Sequence, residues 1–479
     1  MEKRTWKLVY SDYSGMEKKA IELVSAEMGA HLNRDKGVFS LHVFPCVKVT
    51  EITDFNAVVV GCYDTNELIR KYIKKDEIPE NGYVVKVMDN PDNEALKIMI
   101  VAALEQRNVF YGAVELVDDY FSFAAPAHGG LRMVDEIFLQ EKMPDYYHAS
   151  APKFKTRSVF TWGQPILDYR NYIENMARLK LNQLIIWNDF VPVNAKEMIE
   201  YAHSCNIKVI WGFSWLWDTN CTLVDMDNLY DSIDGILQKF EKEYYPLNVD
   251  GIYFQSFTEL RTDKIGDVLI ADAVTKFVNK TASRFFEKFG EMELQFGIHA
   301  TSVKEKLSYI KNLDPRVRLY WEDCGSFPFS YIPKDIETYD ETKEFVIKTT
   351  SLRESEKFGA VTKGLVWLDW KEFEHLPGSF YIGKCSKPVI HNRVERKRRI
   401  WRYIQAYWLT NADKAYDMIK TMCSKTDGDL YLTALVEDGM FEENIMFPVA
   451  LYSEMLWNTN GDLKEMISDV SLRSYTEFA

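Results

Sequence analysis

No paired-cysteine motif occurs anywhere in this chain. Its seven cysteines, Cys46, Cys62, Cys205, Cys221, Cys324, Cys385 and Cys423, are dispersed without a CxxC, so free thiols in a reducing compartment are expected, with no disulfide framework. The eight histidines form neither HExxH nor HxH, which removes the common zinc signatures, and no metal or organic cofactor is expected. No GxGxxG follows a strand and opens a helix, no GxxxxGK before Ser or Thr occurs, and GxSxG is missing. Dinucleotide cradles, phosphate loops and nucleophile elbows therefore have no motif to stand on.

Long apolar runs are also lacking. No segment approaches the roughly 18 apolar residues of a membrane span, and the opening "MEKRTWKLVYSDYSGMEKK" has no apolar stretch of the kind a secretory leader needs, so a soluble cytoplasmic protein without a membrane partner is expected. Basic charge is in deficit: 58 Lys and Arg stand against 72 Asp and Glu, for a net charge of −14. Polyanion binding needs a basic footprint, so nucleic acid is not an expected partner. What the chain does have is apolar and aromatic material, 47% hydrophobic and 14% aromatic with 12 Trp, 27 Tyr and 28 Phe, enough to bury a sizeable core across two or three domains in 479 residues.

The first 125 or so residues alternate strand and helix patterns. Strand-like "WKLVYS", "SLHVFPCVKV", "NAVVVGCY" and "GYVVKVMD" are interspersed with helical "MEKKAIELVSAEMGAHL" and "NELIRKYIK", and helical spacing returns near the end of "EALKIMIVAALEQRNVFYGAVELVDDYF". Residues 1–150 thus read as a small α/β domain. From Arg157 the rhythm lengthens: "RSVFTW", "QLIIWN", "KVIWGFSW", "DGIYFQSF", "ELQFGIHA", "RLYWED" and "GLVWLDW" alternate with helix candidates. Seven such strands with helices between them fit a (β/α)8 TIM-type barrel over 151–390, and "GSFYIGKC" is a place for the eighth strand; a doubly wound sheet is the competing architecture. Beyond it, 391–479 reads as a helical C-terminal region. Whether the chain works alone or as a homo-oligomer stays open.

In a barrel the reactive side chains come from the C-terminal strand ends. Those ends supply Trp162, Trp187, Asn188, Asp189, Trp215, Trp217, Gln255, Glu259, His299, Trp321, Glu322, Asp323, Trp367 and Asp369. Indole faces stack on sugar rings while acids and amides bond hydroxyls, so the set suggests an oligosaccharide cleft. Glycoside cleavage needs an acid at the leaving oxygen and a second carboxylate, roles for which Glu259 and then Glu322 or Asp323 are the candidates. The bland alternatives are a solvated loop for Glu259, a turn for Asp323, a helix cap for Asp369 and a core hydrogen bond for His299. In "HNRVERKRRIWR", Arg393 is either part of a solvated helix face or a clamp for a substrate carboxylate. A lyase or aldolase would want a lysine inside a strand, and Lys363 and Lys208 read as lying at strand starts.

The stretch "VVVGCYDTNELIRKYIKKDEIPENGYVVKV" followed by "FYGAVELVDDYF" resembles the α/β domain that precedes the barrel in β-hexosaminidases, α-glucuronidases and related glycoside hydrolases. It keeps the Tyr111–Gly112 pair without the Gly-x-Asp-x-x-Gly turn. "KTRSVFTWGQPILDYRNYIENMARLKLNQLIIWND" is similar to the first two barrel units of the same enzymes. The resemblance implies a hydrolase acting by carboxylate chemistry. Hexosaminidases that use the substrate acetamide carry an adjacent acidic pair at strand four, where "SFTEL" offers Glu259 alone, so the α-glucuronidase type is favoured over the β-N-acetylhexosaminidase type. It implies Glu259 as acid and Glu322 or Asp323 as base region. A non-catalytic carbohydrate-binding protein on the same scaffold is the reading from another class.

Overall fold

Val, Ile, Leu and aromatic residues fill the strand segments with little alternation, the pattern expected where both faces of a parallel sheet are covered. The computed structural model describes the chain apart from residues 1–3, 33–38, 46–48, 50, 122–143, 163, 189, 216–229, 256–263, 266, 300–305, 323–337, 354–356, 368–378, 426–429 and 474. Two compact units result. The first comprises 1–152 with 204–206 and 468–475, and the second comprises 153–203, 207–467 and 476–479.

The first unit is built on a six-stranded mixed sheet of β1 (Arg4–Tyr10), β2 (Phe39–Pro45), β3 (Asn56–Cys62), β4 (Tyr83–Asn90), β5 (Asn93–Ala103) and β6 (Tyr146–Ser150), in the order β2-β1-β3-β5-β4-β6. β1, β2, β3 and β5 run parallel and β4 runs antiparallel to both its neighbours. Helices α1 (Gly15–Leu32), α2 (Glu67–Tyr72) and α3 (Gln106–Glu115) accompany it. Asn66 starts α2 by accepting from the backbone N–H groups of Leu68 and Ile69, and α2 then buries Leu68 and Ile69 against Val59, Ile98 and Ile100.

The second unit is a closed barrel of eight parallel strands. They are β7 (Thr156–Phe160), β8 (Gln183–Trp187), β9 (Lys208–Gly212), β10 (Gly251–Phe254), β13 (Glu293–His299), β14 (Arg318–Glu322), β15 (Phe358–Leu365) and β16 (Tyr431–Val436); a two-residue hairpin, β11 (Lys264–Ile265) and β12 (Val268–Leu269), sits between the fourth and fifth. Around them run α4 (Tyr169–Arg178), α5 (Ala195–Ser204), α6 (Ser232–Lys239), α7 (Ile270–Phe289), α8 (Leu307–Ile310), α9 (Tyr339–Thr350), α10 (Lys387–Ser424) and α11 (Phe447–Trp457). The fold is therefore an α/β TIM-type barrel with an extra α/β sheet unit and a helical C-terminal region.

Two strands differ from the reading of the sequence. The eighth strand is not in "GSFYIGKC": it is "YLTALV", Tyr431–Val436, reached after the 38-residue helix α10 and paired with β15 on one side and β7 on the other. The barrel thus runs past the boundary expected at residue 390. The seventh strand begins at Phe358, six residues before "GLVWLDW", because the weakly apolar "FGAVTK" is buried throughout and pairs in register with β14.

Inside the barrel, side chains stack in layers. At the N-terminal ends Ser158 bonds Thr433, Gln183 bonds Ser158 and Tyr320, Gln295 bonds Gln183, and Arg318 pairs with Glu293 at 2.5 Å. Above this polar floor lie Phe160, Ile185, Ile210, Tyr253, Tyr320, Val361 and Leu435. Glycines make room for the largest rings: a Cβ on Gly212 would enter the Trp187 indole, and one on Gly359 would lie 2.8 Å from Tyr320.

Candidate active site at the barrel mouth

Strand period two brings Tyr253, Tyr320 and Val361 into the interior, and carries the next inward positions, Gln255, Glu322 and Lys363, to the C-terminal ends of their strands. Glu322 is 1% exposed. The Tyr253 hydroxyl and the Gln255 side-chain amide both donate to its Oε1, and Lys363 Nζ donates to Oε2 at 3.3 Å. A charge-assisted pair and two neutral donors therefore converge on one buried carboxylate. Burial and then the neighbouring Glu322 charge hold the Tyr253 phenol well above its ordinary range, so it remains a donor. Gln255 is fully buried, and among the described residues its Oε1 meets no donor.

The structure revises the lysine. Lys363 is the sixth residue of an eight-residue strand, not a strand start, and it is an interior group. Lys208 does open β9, at the far end of the barrel from the mouth.

Of the tryptophans expected at the cleft, Trp162 and Trp187 belong to the interior cluster and stack on each other, 4.8 Å between centroids and 13° between planes. Trp215 and Trp321 do not line the interior. Trp215, three residues past β9, is sandwiched between Phe254 and Phe285 of α7, and Trp321 meets Phe345 of α9 on the face of β14 that the helices cover. Trp367 is 52% exposed and sets its edge against Tyr403 of α10. Asn188 follows β8 directly and is half-buried. The His299 backbone pairs in register with Glu322. Asp189, Trp217, Glu259, Asp323 and Asp369 lie outside the described residues.

Arg393 is neither a solvated helix charge nor an open clamp. It is 1% exposed, with Nη1 on Asp438 and Nη2 on Glu442, each at 2.8 Å. The loop after β16 wraps it closely: at Gly439, whose φ is +81°, a Cβ would lie 2.6 Å from Arg393 Nε. Glu442 also accepts from the backbone N–H groups of Leu167 and Asp168, which joins the loops after the first and eighth strands. Burial pushes the Asp438 and Glu442 carboxyls up, and Arg393 works against it.

Glu437, one residue past β16, was not among the expected site residues. Its carboxylate accepts from the Trp367 backbone N–H at 2.9 Å and from Lys397 at 2.8 Å, and burial pushes its carboxyl up against the opposing Lys397 charge. The signal for Glu437 was the alternation in "YLTALVE", legible once that segment is taken as a strand. Among the described residues no three His, Cys, Asp or Glu side chains gather to hold a metal ion. None of the described helices is long and apolar enough to cross a membrane.

No family model matches this chain, and no curated protein does. Solved structures do. The structure of CpGH84B superposes with a TM-score of 0.55 at 12% identity, over 98% of this chain and 70% of that one. The structure of CpGH84D gives a TM-score of 0.44 at 11% identity, over 98% of this chain and 89% of that one. At such identity the CpGH84B match is a likeness of fold. It sets the class as a TIM-type barrel protein.

Proposed function

We propose that this chain is a glycoside hydrolase that cleaves an oligosaccharide by carboxylate catalysis at the barrel mouth. The observation that carries the reading is Glu322: a desolvated carboxylate at the C-terminal end of an interior strand, oriented by Tyr253, Gln255 and Lys363. A fixed anion there stabilises positive charge developing on a sugar ring or orients an attacking water. Glu259, five residues past β10, is the proton donor in this reading. The glycoside-hydrolase designation carried by the neighbour CpGH84B supports the substrate class. An α-glucuronidase-like specificity remains the first to try, although a uronate would have to be received by a group other than the doubly paired Arg393.

The test is a screen of aryl glycosides, glucuronides and N-acetylhexosaminides included, followed by uronic-acid oligosaccharides. E322Q and E259Q should each lower kcat by orders of magnitude on the substrate found, with binding largely kept. Unchanged turnover in both variants would sink the proposal.

A second reading is favoured by Gln255. An amide at the end of the fourth strand, donating to Glu322 and offering an acceptor oxygen, suits a hydroxyl-binding role with no chemistry attached. Calorimetric binding of a sugar that the protein never turns over would establish it.

A further inference from the structure

We propose that Lys363 is a positioning residue of the barrel mouth: its ammonium holds the Glu322 carboxylate ionised and fixed through Oε2, so that Glu322 is the anionic member of the site and never its proton donor. The proposal rests on the reading of Glu322 as the charged group of the site and says what maintains that charge.

The geometry comes from four strands. From β10, Tyr253 and Gln255 occupy Oε1; from β15, Lys363 occupies Oε2; from β13, Gly297 presents no side chain and leaves the space in which these groups meet. Among the described side chains, the other interior charges on the neighbouring strands, Arg318 of β14 itself and Glu293 of β13, pair with each other at the strands' opposite end. Among the described residues Lys363 is the positive charge placed against Glu322, and the ion pair is almost wholly desolvated, with side chains 10% and 2% exposed. In such surroundings an unpaired carboxylate takes up a proton, because burial penalises the charged form, whereas a cation within about 4–6 Å preserves it. Tyr253 and Gln255 add direction, and a phenol held protonated cannot substitute for the charge.

The division of labour follows. A carboxylate whose two oxygens already accept three donors has little capacity to carry a proton to a leaving group, so general-acid work falls to another residue.

The experiment reads Glu322 directly by infrared titration, as wild-type minus E322Q difference spectra, and repeats it in K363M, K363Q and K363R. The pH at which Glu322 is protonated should rise by about one unit or more in K363M and return toward the wild-type value in K363R. K363Q keeps a hydrogen-bond donor without the charge and gives the same test if K363M fails to fold. Titration of Glu322 at the wild-type pH in both neutral variants would overturn the proposal, since a merely structural lysine leaves that value unmoved. Turnover is measured separately. A wild-type protein inert toward every glycoside overturns the hydrolase reading, while the infrared result decides the role of Lys363.

Discussion

Gly297 of β13 lies against the Glu322 carboxylate of β14, and a Cβ added to it would fall 2.5 Å from Glu322 Oε1 and closer still to the Tyr253 hydroxyl. The buried carboxylate and phenol can share that position because residue 297 has no side chain. G297A should therefore displace Glu322, abolish turnover and cost about 1–3 kcal/mol of stability by overpacking. Urea unfolding together with kinetics checks it; an alanine variant with full activity would show that the interior yields.

Arg393 should be a stability residue. R393M leaves Asp438 and Glu442 buried without their partner, and the expected loss is about 3–5 kcal/mol, measured by chemical denaturation. R393K should recover part of it, since one ammonium cannot serve both carboxylates in the guanidinium's fork geometry. A near-neutral R393M would return this arginine to the list of substrate clamps.

Two tryptophans should separate by readout. W215A empties a site packed between Phe254 and Phe285 and should cost about 3–5 kcal/mol. W367A removes a half-exposed ring and should leave the unfolding midpoint nearly unchanged, while weakening binding of longer oligosaccharides if Trp367 is an outer sugar platform.

His203 of α5 pairs with Asp250 at 2.8 Å, and the same carboxylate oxygen accepts the Val209 backbone N–H at the start of β9. The hydrogen bond to Asp250 raises His203 above its ordinary value of 6.5, against partial burial. The folded state then holds a proton that the unfolded chain has released. The stabilisation is fully present below pH 6.5 and is lost as the pH rises through the raised folded value. Denaturation midpoints of wild type and H203Q, compared across that window, should converge on the alkaline side; parallel curves would remove the linkage.

Much of the barrel was readable because parallel strands buried on both faces leave dense apolar runs, as in "QLIIWN" and "KVIWGFSW". "FGAVTKGL" escaped that reading because its interior positions are occupied by Gly359, Val361 and Lys363, a gap for a tyrosine ring, one apolar residue and one charge. "YLTALV" was passed over because helical patterns flank it on both sides. The strand-end rule nominated Glu322 and Gln255 from position alone, yet it could not tell inward from outward positions: Trp321 and Glu322 are adjacent in sequence and face opposite sides of the same strand. Arg393 shows the reverse difficulty. Its partners lie 45 and 49 residues away on a loop whose place depends on the eighth strand, so a run of basic residues concealed a buried cluster.

The order in which the ring is joined bears on how the protein is made. Ser158 and Thr433, hydrogen-bonded neighbours in the finished barrel, are 275 residues apart in the chain. During synthesis β7 has no partner for one of its edges until the residues after α10 have left the ribosome, and until then the unit is an open sheet with two exposed borders. A chain cut anywhere between α10 and Val436 would keep that form permanently, so such fragments should aggregate even though seven of the eight strands are intact.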